Sequence, residues 1–251
     1  MNMISPDQIT TVVLAGGFGR RVQHLLPDIP KPMAPVNGRP FLEWVVRYLA
    51  AQKIRRVILS TGHLAETIEK HFQSQPVKNI HVTCVPETKP LGTAGGFLNA
   101  IRGVADGGHP QRSAWLVLNG DSLAPAPLAA MFQSLDDPDW NGAILGVRVA
   151  DASRFGTILQ NASGDLTGFN EKKPGSGVIN AGVYLFRAST IDSFPDKSPL
   201  SFETEVFPAL IAEGIRLKVC VTDAPFLDIG TPESLPLAEE FIRRNAGFFE
   251  P

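Results

Sequence analysis

The sequence has little of several features that would each define a class of protein. It holds two cysteines, Cys84 and Cys220, too few for a disulfide framework or a four-ligand zinc site. Its formal net charge of −2 provides no overall basic field, so we expect neither nucleic acid nor a membrane surface as a partner. No uncharged apolar stretch reaches the ~18 to 20 residues that span a bilayer, and residues 1–9 lack the layout of a secretory signal. These absences predict a cytoplasmic protein.

The rest of the composition is typical of a globular α/β protein. Hydrophobic residues make up 43% of the 251 residues and charged residues 19%, which excludes a disordered or fibrous chain. Short β-branched runs alternate with amphipathic segments, and this order predicts a mainly parallel sheet flanked by helices. The predicted strands cover residues 10–15, 56–60, 80–85, 115–118, 143–149, 178–186 and 216–221. The predicted helices cover residues 40–52, 65–72, 95–102, 202–213 and 233–244.

The pattern predicts a single domain over residues 1–251. No linker divides the chain, although residues 151–201 could form a small lobe over the sheet. Ligands of such sheets bind at the carboxyl ends of strands, so candidate functional residues are expected directly after them.

A glycine-rich segment follows the first strand at Leu14 and Ala15. Gly16, Gly17 and Gly19 let backbone N–H groups approach an anion, and Arg20 and Arg21 add positive charge. The segment lacks the dinucleotide pattern G-x-G-x-x-G and the ATPase pattern G-K-[ST]. It therefore indicates either a phosphate-binding loop or a tight turn.

Lys31 stands between Pro30 and Pro32. The prolines stiffen the backbone, so the ammonium could be aimed at a phosphate as a point charge. The alternative is a solvated lysine in a proline-rich turn.

The segment from Glu87 to Gly96 follows another predicted strand and opens a helix. Its glycines allow close approach to a flat ring whose edge backbone groups could read. An ordinary connection between a strand and a helix is the alternative.

Two aspartates end short apolar runs. Asp121 follows Asn119 and Gly120 at the end of a predicted strand, and Asp228 lies in a second segment of this kind. Carboxylates in such places could hold Mg²⁺ or could serve as turn residues. Together with the glycine loop and Lys31, they have the charges that a metal-assisted nucleotide reaction needs.

Three further polar residues stand in the second half of the chain. Glu171 and Lys172 are adjacent and could offer a hydroxyl acceptor and a phosphate donor, or form a surface charge pair. Asn180 lies in an apolar strand and must be paired or bind a ligand.

Taken in order, the motifs LAGGFGRR, PKPMAPV, ETKPLGTAGG, LNGDS, RFGTI, EKK, NAGVYLF and FLDIGTPE resemble the sugar-1-phosphate nucleotidylyltransferases. Within that family, IPKPMAPVNGRPFLEW, LNGDS and SFETEVF are most similar to the heptose-1-phosphate guanylyltransferases. The resemblance implies a Rossmann-like mixed sheet with a small sugar-binding lobe. It also implies a nucleotide-binding part at residues 10–122 and a sugar-phosphate-binding part at residues 140–232.

The implied reaction joins a nucleoside triphosphate to a sugar 1-phosphate, releases pyrophosphate and supplies a precursor for a polysaccharide or glycoconjugate. Arg21, Lys31 and Asp121 would be catalytic, and Asp121 and Asp228 would hold Mg²⁺. The nucleotide would contact Leu14, Ala15, Gly16, Gly17, Gly19, Arg21, Glu87, Gly92, Thr93 and Asn119. The sugar phosphate would contact Gly156, Glu171, Lys172 and Asn180.

One departure concerns Arg20, which stands where the family usually has a small hydroxyl residue. We expect Arg20 to turn outward and backbone donors to replace the missing hydroxyl.

Several alternatives stay open at this point. They are a mannose-1-phosphate guanylyltransferase, a uridylyl- or thymidylyltransferase for a hexose 1-phosphate, a non-catalytic nucleotide-sugar-binding regulatory subunit and a dinucleotide-dependent oxidoreductase. Both the oligomeric state, with a homo-oligomer among the options, and regulation by an effector are left open by the sequence.

Overall fold

A computed structural model describes residues 5–104, 113–170, 172 and 174–250. The helices in this part of the chain are α1 (Phe41–Ala51), α2 (Ala65–Ser74), α3 (Thr93–Gly103), α4 (Ala129–Ser134), α5 (Phe207–Ala212) and α6 (Ala238–Arg244). The first strands are β1 (Thr10–Ala15), β2 (Pro35–Val36), β3 (Arg39–Pro40), β4 (Arg56–Thr61), β5 (His81–Pro86), β6 (Ala114–Asn119) and β7 (Ser122–Leu123). The remaining strands are β8 (Gly142–Val149), β9 (Thr157–Gln160), β10 (Leu166–Asn170), β11 (Gly177–Arg187), β12 (Leu217–Thr222) and β13 (Leu227–Asp228).

Nine of the described strands form one mixed sheet in the order β10-β9-β11-β6-β1-β4-β5, with β8 pairing both β11 and β12. Strands β6, β1, β4 and β5 run parallel, as the alternating pattern predicts, whereas β11 is antiparallel to β6 and β8. The predicted fold class is therefore confirmed. The division into a nucleotide-binding and a sugar-phosphate-binding part stays a prediction.

Strand β1 is buried on both faces, which explains its continuous apolar run. Val12 packs with Phe97 and Phe207 in one hydrophobic cluster, whereas its neighbour Val13 packs with residues such as Phe41 in the other. Successive side chains of a strand point to opposite faces, so both faces of the sheet are covered by helices. The predicted strands and the helices over residues 40–52, 65–72 and 95–102 match within two residues at each end.

Residues 151–201 contribute to the sheet more than their prediction as a lobe suggests. Strand β11 lies beside β6 in the middle of the sheet, and the hairpin of β9 and β10 extends the sheet from its edge. The pairing of β11 with β6 is non-local, so the sequence pattern predicted this strand but not its place in the sheet, and the hairpin of β9 and β10 was not predicted.

The helix predicted over residues 202–213 is divided in two. Residues Phe202–Val206 form a single π turn, with the Val206 N–H bonded to the Ser201 carbonyl at 3.0 Å, and α5 follows. Pro208 has no N–H to donate to the Thr204 carbonyl, which disfavours a regular α-helix here. Such wider turns are often found at functional sites.

The segment predicted as a helix over residues 233–244 is also mixed. A 3₁₀ turn at Leu235–Leu237 precedes α6. None of the helices in the described part of the chain has the length and apolar character that crossing a bilayer requires.

A buried carboxylate joins α1 to α2. The Glu43 side chain is 2% exposed, and its oxygens lie 2.6 Å from Arg39, 2.9 Å from Arg47 and 2.9 Å from His71. Burial alone would raise the pKa of Glu43, but hydrogen bonds from Arg47, His71 and Arg39 together hold it below its ordinary value of 4.5. Because the pKa of Glu43 is lower in the folded protein than in the unfolded chain, its ionised form stabilises the fold at pH values above the unfolded pKa. This stabilisation is lost as the pH falls through the folded-state pKa.

We predict that Glu43→Gln destabilises the protein at pH 7 by about 2 to 3 kcal/mol, because both arginines and His71 lose their charged partner. The difference from wild type should shrink when urea unfolding is repeated near pH 4. Glu66→Gln is the matched control, since Glu66 is 86% exposed in its 3.6 Å pair with Lys70 and should change little. Equal stability of the two variants at pH 7 would contradict this role for Glu43.

Candidate active site

A first cavity of about 310 Å³ lies at the carboxyl ends of β1 and β6 and against the start of α3. Most of the predicted nucleotide-binding residues line it, together with Phe18, Pro90 and Leu91. These predicted residues are Leu14, Gly16, Gly17, Glu87, Gly92, Thr93 and Asn119, and Asp121, predicted as catalytic and metal-binding, also lines the cavity. Ala15, which is buried at the end of β1, and Gly19 do not line it.

The glycine loop passes close to the side chains of Lys31 and Glu87, which explains the glycines at positions 19 and 16. Gly19 has a φ of +60°, and a Cβ added there would lie 2.7 Å from the Cβ of Lys31. A Cβ on Gly16 would lie 2.6 Å from a carboxylate oxygen of Glu87. At Gly19 the positive φ and the contact with the Cβ of Lys31 both require glycine, whereas a side chain at Gly16 would displace the Glu87 carboxylate. Arg20 is exposed, with its guanidinium carbon 5.9 Å from the Phe18 ring centroid, which matches the outward orientation expected for it.

Lys31 forms an ion pair with Asp121, the residue that follows the end of β6 and Gly120. Lys31 begins a 3₁₀ turn, in which the Met33 N–H donates to the Pro30 carbonyl and the Ala34 N–H donates to the Lys31 carbonyl. Its side chain is 11% exposed and that of Asp121 is 32% exposed. The proline-framed segment thus holds a mostly buried ammonium against a carboxylate at the cavity wall.

Glu87 is a half-buried carboxylate in the first cavity. Its partners within the described residues are neutral: the Ser60 hydroxyl donates at 2.9 Å and the Leu91 N–H at 3.3 Å. Burial raises the pKa of Glu87, and these two hydrogen bonds oppose the rise. Its charge is therefore solvated by a few neutral donors, which leaves it able to accept more hydrogen bonds from a ligand.

Asp228 is brought to Asp121 by a small antiparallel ribbon. Strand β13 pairs with β7, Asp228 faces Ser122, and the Ile229 N–H donates to the Asp121 carbonyl at 3.0 Å. Burial raises the pKa of Asp228 and the charge of Asp121 raises it further, while Gly230, Lys31 and Arg21 act in the opposite direction. A carboxylate whose charge is disfavoured by a neighbouring carboxylate suits a bound cation.

The two aspartates suit a magnesium ion that is shared with a bound substrate, and not one held by protein side chains alone. Within the described residues, no group of three or more His, Cys, Asp or Glu side chains could hold a metal. Mg²⁺ is usually held by one or two carboxylates, with substrate phosphates and water completing its shell.

A second cavity of about 890 Å³ lies beside the first, since Thr93 in the wall of the first donates to Glu203 in the wall of the second at 3.2 Å. Gly156, Lys172 and Asn180 line it, three of the residues predicted to contact the sugar phosphate, and so do Arg21 and Asp228. Glu171, the fourth, lies outside the described residues. Arg21 was predicted to contact the triphosphate, and the structure places it in the wall of the second cavity.

Asn180 lies on a bulge of β11, where the register with β8 shifts before Tyr184. Its amide donates to the Tyr184 hydroxyl at 2.9 Å, and its side-chain oxygen accepts from the Gly182 N–H at 2.9 Å. Gly182 has a φ of +70°, and a Cβ there would lie 2.4 Å from the amide nitrogen of Asn119. The bulge therefore joins the second cavity to the first.

Sequence reasoning assigned no role to several other residues of the second cavity. Arg154 lines it and donates to the Thr231 hydroxyl at 3.1 Å, and Phe155, Glu203 and Thr204 also line it. Arg154, Phe155 and Glu203 belong to the motifs RFGTI and SFETEVF, which were quoted only for their resemblance. Their orientation depends on the bulge, the hairpin and the π turn, none of which the sequence pattern predicted.

The fold and these cavities define an α/β protein that can bind phosphate groups at the carboxyl edge of its sheet, with a glycine loop, cationic side chains and paired aspartates. Comparison with known proteins gives the class a name. The chain belongs to the nucleotidyl transferase family, whose model matches residues 10–245.

The relatives agree with this assignment. A D-glycero-α-D-manno-heptose 1-phosphate guanylyltransferase of Campylobacter jejuni is 31% identical over 223 residues, covering 88% of this chain and 95% of the relative. A mannose-1-phosphate guanylyltransferase of Mycobacterium tuberculosis is 35% identical over 246 residues, and the match spans 97% of this chain but only 65% of that protein.

Solved structures are similar over most of their length. HddC from Yersinia pseudotuberculosis is 33% identical, covers 92% of this chain and 98% of its own, and superposes with a TM-score of 0.81. The same protein complexed with GMP-PN superposes with a TM-score of 0.79. The predicted membership in the sugar-1-phosphate nucleotidylyltransferases is confirmed, and the protein is an enzyme of this family.

Proposed function

We propose that the protein transfers the guanylyl group of GTP to D-glycero-α-D-manno-heptose 1-phosphate, giving GDP-heptose and pyrophosphate with Mg²⁺ as cofactor. The observation that carries the proposal is the meeting of two cavities at one group of charges. Asp121 lines the first cavity and pairs with Lys31, and Arg21 and Asp228 line the second. A nucleotide in the first cavity and a sugar phosphate in the second would bring their phosphates together there.

Glu87 supports guanine as the base. Guanine presents two adjacent donors, N1–H and the exocyclic amino group, and a carboxylate can accept both at once. Uracil and thymine present one N–H between two carbonyl oxygens, which would lie against the carboxylate. Because the present partners of Glu87 are neutral donors, its charge is available for such a pair.

The relatives support the heptose over mannose. The heptose 1-phosphate guanylyltransferase of Campylobacter jejuni is matched over 95% of its length, whereas the mannose-1-phosphate enzyme is matched over 65%. Mannose 1-phosphate is the second candidate, because the mannose-1-phosphate enzyme has the higher identity, 35% against 31%.

In the proposed reaction an oxygen of the sugar phosphate attacks the α-phosphorus of GTP. The new P–O bond forms as the bond from the α-phosphorus to the pyrophosphate oxygen breaks, and pyrophosphate leaves with that electron pair. Lys31 and Arg21 neutralise the charge on the phosphate oxygens, and the glycine loop orients them with backbone N–H groups. When bound to Asp121 and Asp228, Mg²⁺ supplies further positive charge on these oxygens. No covalent bond to the protein is required.

The base assignment is tested by Glu87→Gln. The glutamine amide would place a donor against the donors of guanine, so we expect kcat/KM for GTP to fall about 10- to 100-fold. The preference for GTP over UTP should narrow, as measured by pyrophosphate release with each nucleotide. Glu66→Gln, an exposed change on α2, should leave both values unchanged. A Glu87→Gln variant with an unaltered GTP to UTP ratio would contradict the assignment.

A further inference from the structure

Glu203 is a half-buried carboxylate in the wall of the second cavity. Three hydroxyl groups of the protein surround it. Tyr184 donates to its Oε1 at 3.0 Å, and Ser201 and Thr93 donate to its Oε2 at 3.0 Å and 3.2 Å. The structure therefore shows a carboxylate oriented by neutral donors, on a surface where a ligand of the second cavity would lie.

The hydrogen-bonding capacity of this carboxylate is not fully used. A carboxylate offers about four lone-pair sites, two on each oxygen. Thr93 and Ser201 occupy both sites of Oε2, whereas Tyr184 occupies one site of Oε1. One acceptor site of Oε1 is left among the described contacts.

The Tyr184 hydroxyl is not open to a ligand. Tyr184 is completely buried, and its hydroxyl accepts from Asn180 at 2.9 Å while it donates to Glu203. A ligand donor in this part of the cavity thus meets Glu203 as an acceptor with remaining capacity.

The backbone around Glu203 is held by several independent contacts. The Phe202 N–H donates to the Thr93 hydroxyl at 2.9 Å, and the N–H groups of Ala94 and Gly95 both donate to the Leu200 carbonyl at 3.0 Å. The Phe202 ring stacks on Phe186 with centroids 5.7 Å apart. Glu203 is therefore preorganised, so an added hydrogen bond costs little ordering.

The cations of the second cavity indicate where the phosphate of a sugar phosphate would bind. Arg21, Arg154 and Lys172 line the same cavity and suit the phosphate, which a carboxylate would repel. The remaining donors of a sugar 1-phosphate are its hydroxyl groups.

We propose that Glu203 accepts a hydrogen bond from one hydroxyl group of the sugar and so determines which sugar phosphates are used. This inference rests on the proposed function, since it assigns the sugar to the second cavity. Through the Thr93 hydroxyl, the same carboxylate also contacts the helix that begins at the first cavity.

The test uses Glu203→Gln with GTP and two acceptors, heptose 1-phosphate and mannose 1-phosphate, together with monodeoxy analogues of mannose 1-phosphate. We expect KM for the sugar phosphate to rise about 10- to 100-fold, as for loss of a charged hydrogen bond, with KM for GTP unchanged. One deoxy analogue should be poor for wild type yet no poorer for the variant, because the bond to its missing hydroxyl is already lost.

Glu205→Gln is the matched control. Glu205 lies on the same π turn but binds Lys197 and the Ser201 N–H and does not line the cavity. Glu203→Asp provides a second variant, which keeps the charge but withdraws it by one methylene. Glu203→Asp should also raise the sugar KM, so it tests the inference even if Glu203→Gln fails to fold.

Calorimetric titration of the same sugar phosphates separates the two claims. The inference would be overturned if both Glu203 variants turned over with the wild-type KM for the sugar phosphate. It would also be overturned if every deoxy analogue lowered the activity of the variants by the same factor as that of the wild type. Absence of pyrophosphate release with every sugar phosphate would refute the proposed function, and binding weakened by Glu203→Gln in the titration would still support a hydroxyl contact.

Discussion

Lys31→Met is expected to lower kcat for pyrophosphate release by about 10²- to 10³-fold, the usual loss when one group that stabilises transition-state charge is removed. Lys31 is suited to this role because its segment is stiffened by Pro30 and Pro32 and its ammonium is held at Asp121. When a triphosphate binds, the same ammonium can bind the phosphate oxygens on which charge develops. The ground-state affinity for GTP should change much less than kcat.

Single-turnover kinetics with saturating GTP measures this effect on the chemical step. Lys70→Met, which removes a lysine that is 76% exposed on α2, should behave as wild type. If Lys31→Met kept the wild-type rate of the chemical step, Lys31 would serve only as the ion-pair partner of Asp121 and the proposed catalytic arrangement would be wrong.

Asp121→Asn is expected to reduce the rate at moderate Mg²⁺ by about 10³-fold, because the charge that a bound metal ion supplies is worth several kcal/mol. The substitution removes one of two carboxylates that β7 and β13 hold together. Asp228→Asn should have a similar effect, and both variants should need more Mg²⁺ for half-maximal rate.

A Mg²⁺ titration of the rate, with Mn²⁺ binding followed by electron paramagnetic resonance, tests this expectation. Asp223→Asn is the matched control, since Asp223 is 84% exposed and pairs with Arg148 away from both cavities. A wild-type Mg²⁺ dependence in both active-site variants would show that these aspartates do not hold the metal.

The parts of the fold that the sequence predicted are those determined by local pattern. Strand β1 is recognisable because a strand covered on both faces needs an unbroken apolar run, and α1 because Phe41, Val45 and Leu49 recur at helical spacing. Glycines mark places where backbone must approach another group closely, as at Gly16 and Gly19. Motifs at strand ends therefore indicated most of the first cavity.

The hairpin of β9 and β10 joins adjacent segments, and it was missed because its short strands are mostly exposed or half-buried and carry a weak apolar pattern. Other missed features depend on contacts between distant segments, as with the short strands β7 and β13, which are specified by each other. The acceptor role proposed for Glu203 depends on a π turn and on hydroxyls from Thr93 and Tyr184, more than a hundred and about twenty residues away in the chain. No spacing rule joins such residues.

The most direct test of the proposed guanylyl transfer is product formation by the wild-type protein with GTP, ATP, UTP, CTP and dTTP against heptose, mannose and glucose 1-phosphates. Pyrophosphate release would be followed with Mg²⁺ present, and the sugar nucleotide identified by mass spectrometry. We expect the highest kcat/KM for GTP with D-glycero-α-D-manno-heptose 1-phosphate and a product with the mass of GDP-heptose. A higher kcat/KM with another nucleotide, or no guanylyl transfer to any of the three sugar phosphates, would contradict it.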